Sequence, residues 1–202
     1  MTTAITYPNG TQFTTTALTV DQINTLLQSI TCGMIGIDPP DLSAVRVDWP
    51  TEGQPFVDAP ETDVCYLRCV LENDDYDKLR DLARTNAEPS PTPVMYTWTY
   101  TRVWTVHWIF YGPGSLNHAS AVRSALFQEY FTDQLGLSQL FPNPDNAAPQ
   151  RVPEQFNAQW WERVDFSTCM NEFVTETTTV PAVVSVPVTV ESEDLTVSTI
   201  VS

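Results

Sequence analysis

Residues 94–111 alternate between two kinds of side chain. One parity is mainly aromatic: Tyr96, Trp98, Tyr100, Trp104, Val106, Trp108 and Phe110. The other is rich in threonine: Thr97, Thr99, Thr101, Val103, Thr105, His107 and Ile109. A period of two in aromatic and β-branched residues predicts one β-strand of about 18 residues. At roughly 3.3 Å per residue it would extend on the order of 60 Å, which exceeds the width of a compact domain of this size. We therefore expect the strand to bend, to be interrupted or to project, and a projecting strand has an edge that can pair with other chains.

Two other segments have the pattern of amphipathic helices. The first begins with a capping-box pair, Thr19 and Gln22, and Gly33 is its predicted stop. Its apolar face consists of Val20, Ile23, Leu26, Leu27 and Ile30. The second is predicted over residues 116–131, with Ser115 as its N-cap. Its apolar face consists of Ala119, Val122, Leu126 and Tyr130.

The rest of the chain adds shorter β-strands. Alternation or apolar runs predict strands at residues 45–49 and 64–71, and a longer one from residue 163 to 171. One side of that last strand carries Val164, Phe166, Thr168 and Met170, and the other carries Arg163, Asp165, Ser167, Cys169 and Asn171. Residues 77–86 are interpreted as a short helix. The Val/Thr-rich tail from Thr175 is interpreted as an edge strand or an arm, because prolines are tolerated at sheet edges.

Together these elements predict an α+β fold. We expect a central, largely antiparallel β-sheet with long strands, flanked by two main helices, and a β-rich C-terminal arm. The 202 residues allow one large domain with a real core. The composition, 42% hydrophobic and 17% charged, is globular rather than disordered. We place the domain at residues 1–178 and the arm or edge strand at residues 179–202.

The charge of the chain excludes several classes of partner. It has 25 acidic residues against 9 bases, of which Lys78 is the only lysine, and its net charge is −16. Specific binding of nucleic acid needs clustered bases, so we do not expect it, and an anionic membrane surface is equally unsuited. Such a surface stays soluble, or lets nucleic acid slide past. Residues 1–10 are polar, and no apolar run is long enough to span a bilayer, so no targeting segment or membrane is expected.

The reactive side chains do not form a recognisable catalytic or metal site. Cys65 and Cys69 are spaced by three residues, but on a strand they share one face and are better interpreted as core. The four cysteines are expected to be reduced. His107 and His118 lie in no nucleophile elbow, and no glycine-rich nucleotide motif is present. We therefore expect no enzymatic activity, no cofactor and no metal.

The tryptophans allow two interpretations. Trp98, Trp104 and Trp108 share a strand face that could be a platform for a sugar or another ligand, but aromatic residues also dominate cores and subunit interfaces. Because helices flank this face, core is the favoured interpretation. Trp160 and Trp161 are adjacent, so on a strand they point to opposite sides and one of them is a candidate for an interface.

The order of elements from Met95 onward resembles the neck or tail terminator proteins of tailed bacteriophages. The resemblance rests on the long strand that ends in Tyr-Gly-Pro (111–113), the helix with Ala-Ser-Ala-Val-Arg-Ser-Ala-Leu (119–126), and Leu-Gly-Leu (135–137). After a proline-rich loop, Gln-Trp-Trp-Glu-Arg-Val-Asp-Phe (159–166) opens another long strand. The first helix and the Val/Thr-rich end also fit, so the resemblance covers most of the chain.

This resemblance implies a structural virion protein at the head–tail junction, assembled in the cytoplasm of the host bacterium. Its subunits would form a homo-oligomeric ring, usually a hexamer, that caps the tail tube protein and joins it to the head connector or adaptor proteins. Genomic DNA would pass through the lumen without specific binding, which suits an acidic chain.

Within this resemblance, three groups of residues are candidates for roles in assembly. Subunit-interface candidates are Thr97, Thr99, Thr101, Arg102, Thr105, His107, Trp161, Arg163, Val184, Val186 and Val188. Candidates for an acidic lumen or solvent surface are Asp74, Asp75 and Asp77. Arg102 and Arg163 are rare bases on alternating strands and would pair with acids across an interface. Alternatives are another head–tail connector, head-completion or minor tail protein, and, from a different class, a monomeric module that binds a ligand on its aromatic face.

Overall fold

A nine-stranded, mostly antiparallel sheet dominates the structure, a computed structural model that describes residues 3–38, 40–47, 60–86, 93–156, 158–181, 186–192 and 195–201. The sheet contains β1 (Thr3–Thr6), β2 (Gln12–Thr15), β3 (Val45–Val47), β4 (Val64–Leu71), β5 (Asp81–Asn86), β6 (Val94–Tyr111), β7 (Leu140–Pro142), β8 (Gln150–Arg151) and β11 (Arg163–Val180). The helices are α1 (Val20–Met34), α2 (Ser115–Ala125) and α3 (Glu129–Gly136). Two separate hairpins are β9 (Glu154–Phe156) with β10 (Gln159–Trp161), and β12 (Val186–Ser192) with β13 (Leu195–Val201). The predicted α+β class is confirmed.

The strand order along the sheet is β1-β2-β11-β6-β4-β3. Only β3 and β4 pair in parallel among the registers described. Both long strands are uninterrupted over 18 residues, so the predicted long alternating strand is confirmed. The chain forms two compact units. The first draws on Ala17–Leu79 and Tyr100–Val174, and the second on Thr2–Thr16, Arg80–Thr99 and Thr175–Ser202.

In the first unit, the core lies between α1, α2 and α3 and the face of the sheet that carries the aromatic parity of β6. Trp104, Val106, Trp108 and Phe110 are all buried there, as are the even-numbered residues of β11 from Val164 to Met170. The indole of Trp108 donates a hydrogen bond to the hydroxyl of Thr31 over 2.9 Å and stacks on Phe166 with ring centroids 5.4 Å apart. Cys65 and Leu67 belong to the same cluster, so the interpretation of that strand face as core is confirmed.

Helix α1 begins as predicted and ends slightly later. The side chain of Thr19 accepts a hydrogen bond from the backbone of Gln22, whose own side chain accepts from the Thr19 backbone. The predicted stop at Gly33 is wrong, since the helix continues to Met34. The residue that turns the chain is Gly36, which has φ +83°. Backbone N–H groups after the helix bond back to carbonyls of its last turn, which is the Schellman arrangement.

The predicted second helix is two helices. Its first part is α2, which begins at Ser115 with Gly114 rather than Ser115 as N-cap, and α3 begins only at Glu129. Gln128 has an extended backbone, and the break rotates the following residues away from the face set by α2. Tyr130 is therefore exposed rather than buried, which corrects the sequence prediction for that residue.

Residues 77–86, which were predicted to form a short helix, are not helical in this way. A single 3₁₀ turn covers Asp75–Asp77, and β5 pairs antiparallel with the beginning of β6, from Asp81 opposite Thr99 to Asn86 opposite Val94. Without β5, this side of residues 94–99 would present unpaired backbone groups. Residues 81–86 form backbone hydrogen bonds with these groups, and this pairing outweighs the local tendency of residues 77–86 to form a helix.

The turn after β6 depends on glycine. Gly112 has φ +101°, and a Cβ there would lie 2.6 Å from the carbonyl oxygen of Thr62 and 2.8 Å from the Cα of Asp63. The Gly114 N–H donates to the carboxylate of Asp63 over 2.7 Å. The Tyr-Gly-Pro-Gly sequence thus fixes where β6 ends and α2 begins.

Candidate assembly surface

In the first unit the two faces of the sheet differ, because the helices pack on only one of them. On the other face the described part of the structure leaves a polar strip along β4, β6 and β11, which we call the open face. Its residues include Arg68, Val70, Thr105, His107, Asp165, Ser167, Cys169, Asn171 and Phe173, and each is half-buried or exposed. The His107 Nδ1 atom lies 2.8 Å from the Ser167 hydroxyl, and the Thr105 hydroxyl lies 3.7 Å from the Cys169 sulfur.

One end of the open face is covered by the β9–β10 hairpin. Trp161 is 6% exposed and forms a second core cluster with Val64, Tyr66, Ile109 and Tyr111. Trp160 is 68% exposed. Adjacent residues on the strand do point to opposite sides, but the exposed ring is that of Trp160, not that of Trp161, the residue predicted for the interface. Trp161 packs within its own chain because the hairpin folds back on the sheet.

Arg163 fixes this hairpin to β11. Its guanidinium donates to both carboxylate oxygens of Asp165, over 2.7 and 2.9 Å, and to Glu154 in β9 over 3.1 Å. The hydrogen bonds to Asp165 are the main reason that the pKa of Arg163 is raised. Tyr111 donates its hydroxyl to the same Glu154 carboxylate over 2.9 Å. Burial, with this hydrogen bond, raises the pKa of Tyr111. The acids predicted to pair with Arg163 are thus found inside the chain.

Arg102 also has an internal partner, the buried carboxylate of Glu172. Its guanidinium donates to one Glu172 oxygen over 2.9 and 2.6 Å, and to the carbonyl of Leu18 over 2.7 Å. The Trp104 indole donates to the same carboxylate oxygen over 2.7 Å, and the Leu18 N–H donates to the other oxygen over 2.7 Å. This network joins the segment before α1 to β6 and β11. Sequence reasoning missed Glu172, although an acidic residue on the apolar parity of a strand is a signal for such a partner.

The remaining interface candidates lie in several places. Thr97, Thr99 and Thr101 are half-buried along β6, and the Thr97 hydroxyl lies 3.5 Å from that of Thr177. In the tail hairpin, Val186 pairs with Val201 and Val188 pairs with Thr199. Val184 lies outside the described residues. Whether any of these residues meets another subunit stays a prediction.

The acidic candidates surround the 3₁₀ turn after β4. Asp74 caps the turn by accepting the Tyr76 N–H over 2.8 Å, and Asp75 forms an exposed ion pair with Lys78 over 2.8 Å. Asp77 is half-buried. A solvated, self-capped turn explains these residues without a lumen, and their place in a channel stays a prediction.

On the helical side, α3 carries an exposed surface that sequence reasoning did not find. Tyr130 in the first turn of the helix is 67% exposed, and Leu137, which caps its C-terminal end, is 79% exposed. Glu129 and Asp133 are exposed beside them, and neither α1 nor α3 contains a base. We call these four residues the α3 patch. Exposed apolar side chains with polar residues at their rim are typical of protein interfaces.

Other kinds of site find little support among the described residues. The described residues contain no group of three or more His, Cys, Asp or Glu side chains placed to hold a metal ion. None of the described helices is long and apolar enough to cross a membrane. Trp104 and Trp108 are buried in the core, so they are not available as a ligand platform.

Comparison with protein families gives a match that covers most of the chain. The model of a family described as phage neck terminator protein matches residues 21–194, which include α2, α3, both long strands and all of α1 except its first residue. No curated protein is significantly similar to the chain.

Proposed function

The chain belongs to the phage neck terminator family, and from this membership we propose that it is the subunit of a ring that ends the tail tube. The ring would join the tube to the head connector, and genomic DNA would pass through its lumen. Because the chain belongs to this family, it is a structural component of the virion. The proposal concerns the ring, its partners and its lumen.

The observation that carries the proposal is the family match over residues 21–194, which leaves out only the first 20 and last few residues. The architecture supports it. The first unit has a sheet covered by helices on one face and an open face on the other, and the helix side carries its own exposed apolar patch. A ring made of identical subunits needs two different surfaces on each copy, because each subunit meets its two neighbours through opposite sides.

The charge supports passage of DNA rather than its retention. A net charge of −16 gives the chain no general attraction for phosphate. Five of the nine bases form described ion pairs with acids of the same chain, as Arg102 does with Glu172 and Arg163 does with Asp165. An acidic or neutral lumen would let DNA slide past, and a strongly basic lumen in the assembled ring would contradict this part of the proposal.

The family also favours a protein without catalytic activity. Its role is structural, and the hydrogen bond between His107 and Ser167 lies on a shallow open face rather than in a closed cleft. The chemistry expected of such a surface is recognition of another protein.

Cryo-electron microscopy of the phage particle that encodes this chain tests the proposal. We expect a closed ring of the chain between the tail tube and the head connector. Density for the chain at another position in the particle would assign it to a different connector or tail role, and its absence from purified particles would overturn the virion assignment. A phage with a nonsense codon in the gene provides the genetic control, since it should yield filled heads and tails that do not join.

A further inference from the structure

The open face contains a basic pocket in an otherwise acidic protein. Arg68, His107 and Ser167 line it, together with the Arg163–Asp165 pair, around a cavity of about 270 Å³. Arg68 is exposed, and its guanidinium makes no hydrogen bond or ion pair with any residue that the structure describes. Arg68 shares this with one other exposed arginine, Arg84, which has no carboxylate partner among the described residues but lies over the Tyr96 ring, 6.0 Å from its centroid.

The geometry of the pocket suits a carboxylate. An arginine presents a planar fork of N–H donors that binds a carboxylate through two parallel hydrogen bonds. The Ser167 hydroxyl and the His107 ring stand beside it, on the neighbouring strands β11 and β6, and because they hydrogen-bond each other over 2.8 Å, the neutral pair has one donor left for a ligand.

The α3 patch has the opposite chemistry. Glu129 and Asp133 lie four residues apart and so share a side of the helix, and the exposed Tyr130 and Leu137 lie beside them. The helix contains no base to neutralise these carboxylates. One surface of the chain therefore offers a cation without a described carboxylate partner, and another offers unpaired carboxylates next to apolar side chains.

We propose that the basic pocket of one copy of this chain receives the acidic α3 patch of the next copy. The inference rests on the proposed ring, because a closed ring requires two different, complementary surfaces on each subunit. Opposite charges across the contact set register and suppress wrong pairings. Two α3 patches facing each other would instead bring like charges together, so the contact is between unlike surfaces.

Charge reversal tests the contact in the full chain. We expect wild-type protein to self-associate in sedimentation velocity at low salt and high concentration. Arg68→Glu should weaken that association at least about tenfold, which is the scale for one interfacial charge pair, and Glu129→Lys with Asp133→Lys should do the same. Combining all three substitutions restores opposite charges and should recover most of the association. Lys78→Glu is the matched control, because it makes the same change of charge at an exposed turn, and it should leave association unchanged.

Several results would overturn the inference. They are a wild-type chain that stays monomeric at millimolar concentration, association of Arg68→Glu equal to that of wild type, and a triple variant no better than the weaker parent. Circular dichroism separates misfolding from lost association, and Arg68→Gln, which keeps the size of the side chain, provides a second variant with an intermediate loss. A particle that shows the ring at the neck with other surfaces in contact would refute only this inference, whereas absence of the chain from the neck would refute the proposed function.

Discussion

The buried Glu172 carboxylate gives the most direct test of how the fold is held together. It is fully buried, and its only cationic partner among the described residues is Arg102, whose side chain is 15% exposed. Replacing Arg102 with methionine keeps much of the side-chain volume but leaves a buried charge without its counter-ion. Losing one partner of a buried pair costs about 3–5 kcal/mol. Because a typical domain is stable by about 5–15 kcal/mol, this loss is a large fraction of the total.

A second substitution should recover part of that loss. In the variant Arg102→Met with Glu172→Gln both charges are gone, and the amide oxygen of the glutamine still accepts one of the N–H groups from Leu18 and Trp104. The remaining cost is then that of an incompletely satisfied hydrogen-bond network, about 1–3 kcal/mol. We therefore expect the double variant to be more stable than Arg102→Met alone by about 2 kcal/mol.

Urea unfolding followed by circular dichroism and tryptophan fluorescence measures these differences, and coincidence of the two signals checks for a two-state transition. Arg151→Met is the matched control. Arg151 pairs with Glu162 at the surface over 3.4 Å, and such pairs contribute about 1 kcal/mol at most. The reasoning is refuted if Arg102→Met costs no more than Arg151→Met, or if the double variant is no more stable than Arg102→Met.

Three further predictions concern single positions. Gly112→Ala should destabilise the chain by more than Gly36→Ala. Both glycines have positive φ, which costs an alanine about 1–2 kcal/mol, but only at Gly112 does the new methyl group also collide with backbone atoms. Equal midpoints of urea unfolding for the two variants would contradict this. Thr19→Ala should cost about 1 kcal/mol through loss of the capping box, again read from the urea midpoint. In native protein at neutral pH, iodoacetamide should label Cys169 well before Cys65, because burial raises the pKa of the Cys65 thiol and so lowers its thiolate fraction. Mass spectrometry after timed labelling measures the order. Equal labelling rates for the two cysteines would show that Cys65 is accessible.

The long strands could be predicted because their signal repeats. The parity of β6 separates Trp104 and Trp108, which are buried, from Thr105 and His107, which are not. Each added residue of such a pattern strengthens the same assignment, and β11 shows the same regularity. The cap of α1 is similarly local, since Thr19 and Gln22 satisfy each other within one turn.

The errors fall where tertiary partners decide the structure. Residues 81–86 form a strand because they pair with the free edge at the beginning of β6. The sequence of these six residues does not by itself indicate that such a partner exists. The break between α2 and α3 is likewise not indicated by the local sequence. Residues 115–131 have a continuous apolar period, yet Gln128 takes an extended conformation and Tyr130 leaves the core.

The candidate surface shows a further limit of a single sequence. Alternation tells which residues share a face but not what covers that face. Trp160 and Trp161 have the same chemistry and adjacent positions, and only the docking of the β9–β10 hairpin makes one of them core and the other surface. Arg68 and Arg163 likewise both belong to the open face, but Arg163 meets acids of its own chain and Arg68 does not. In the proposed ring, the bases expected to contact another subunit are those that have no acid partner in their own chain, and these can be identified only once the fold is known.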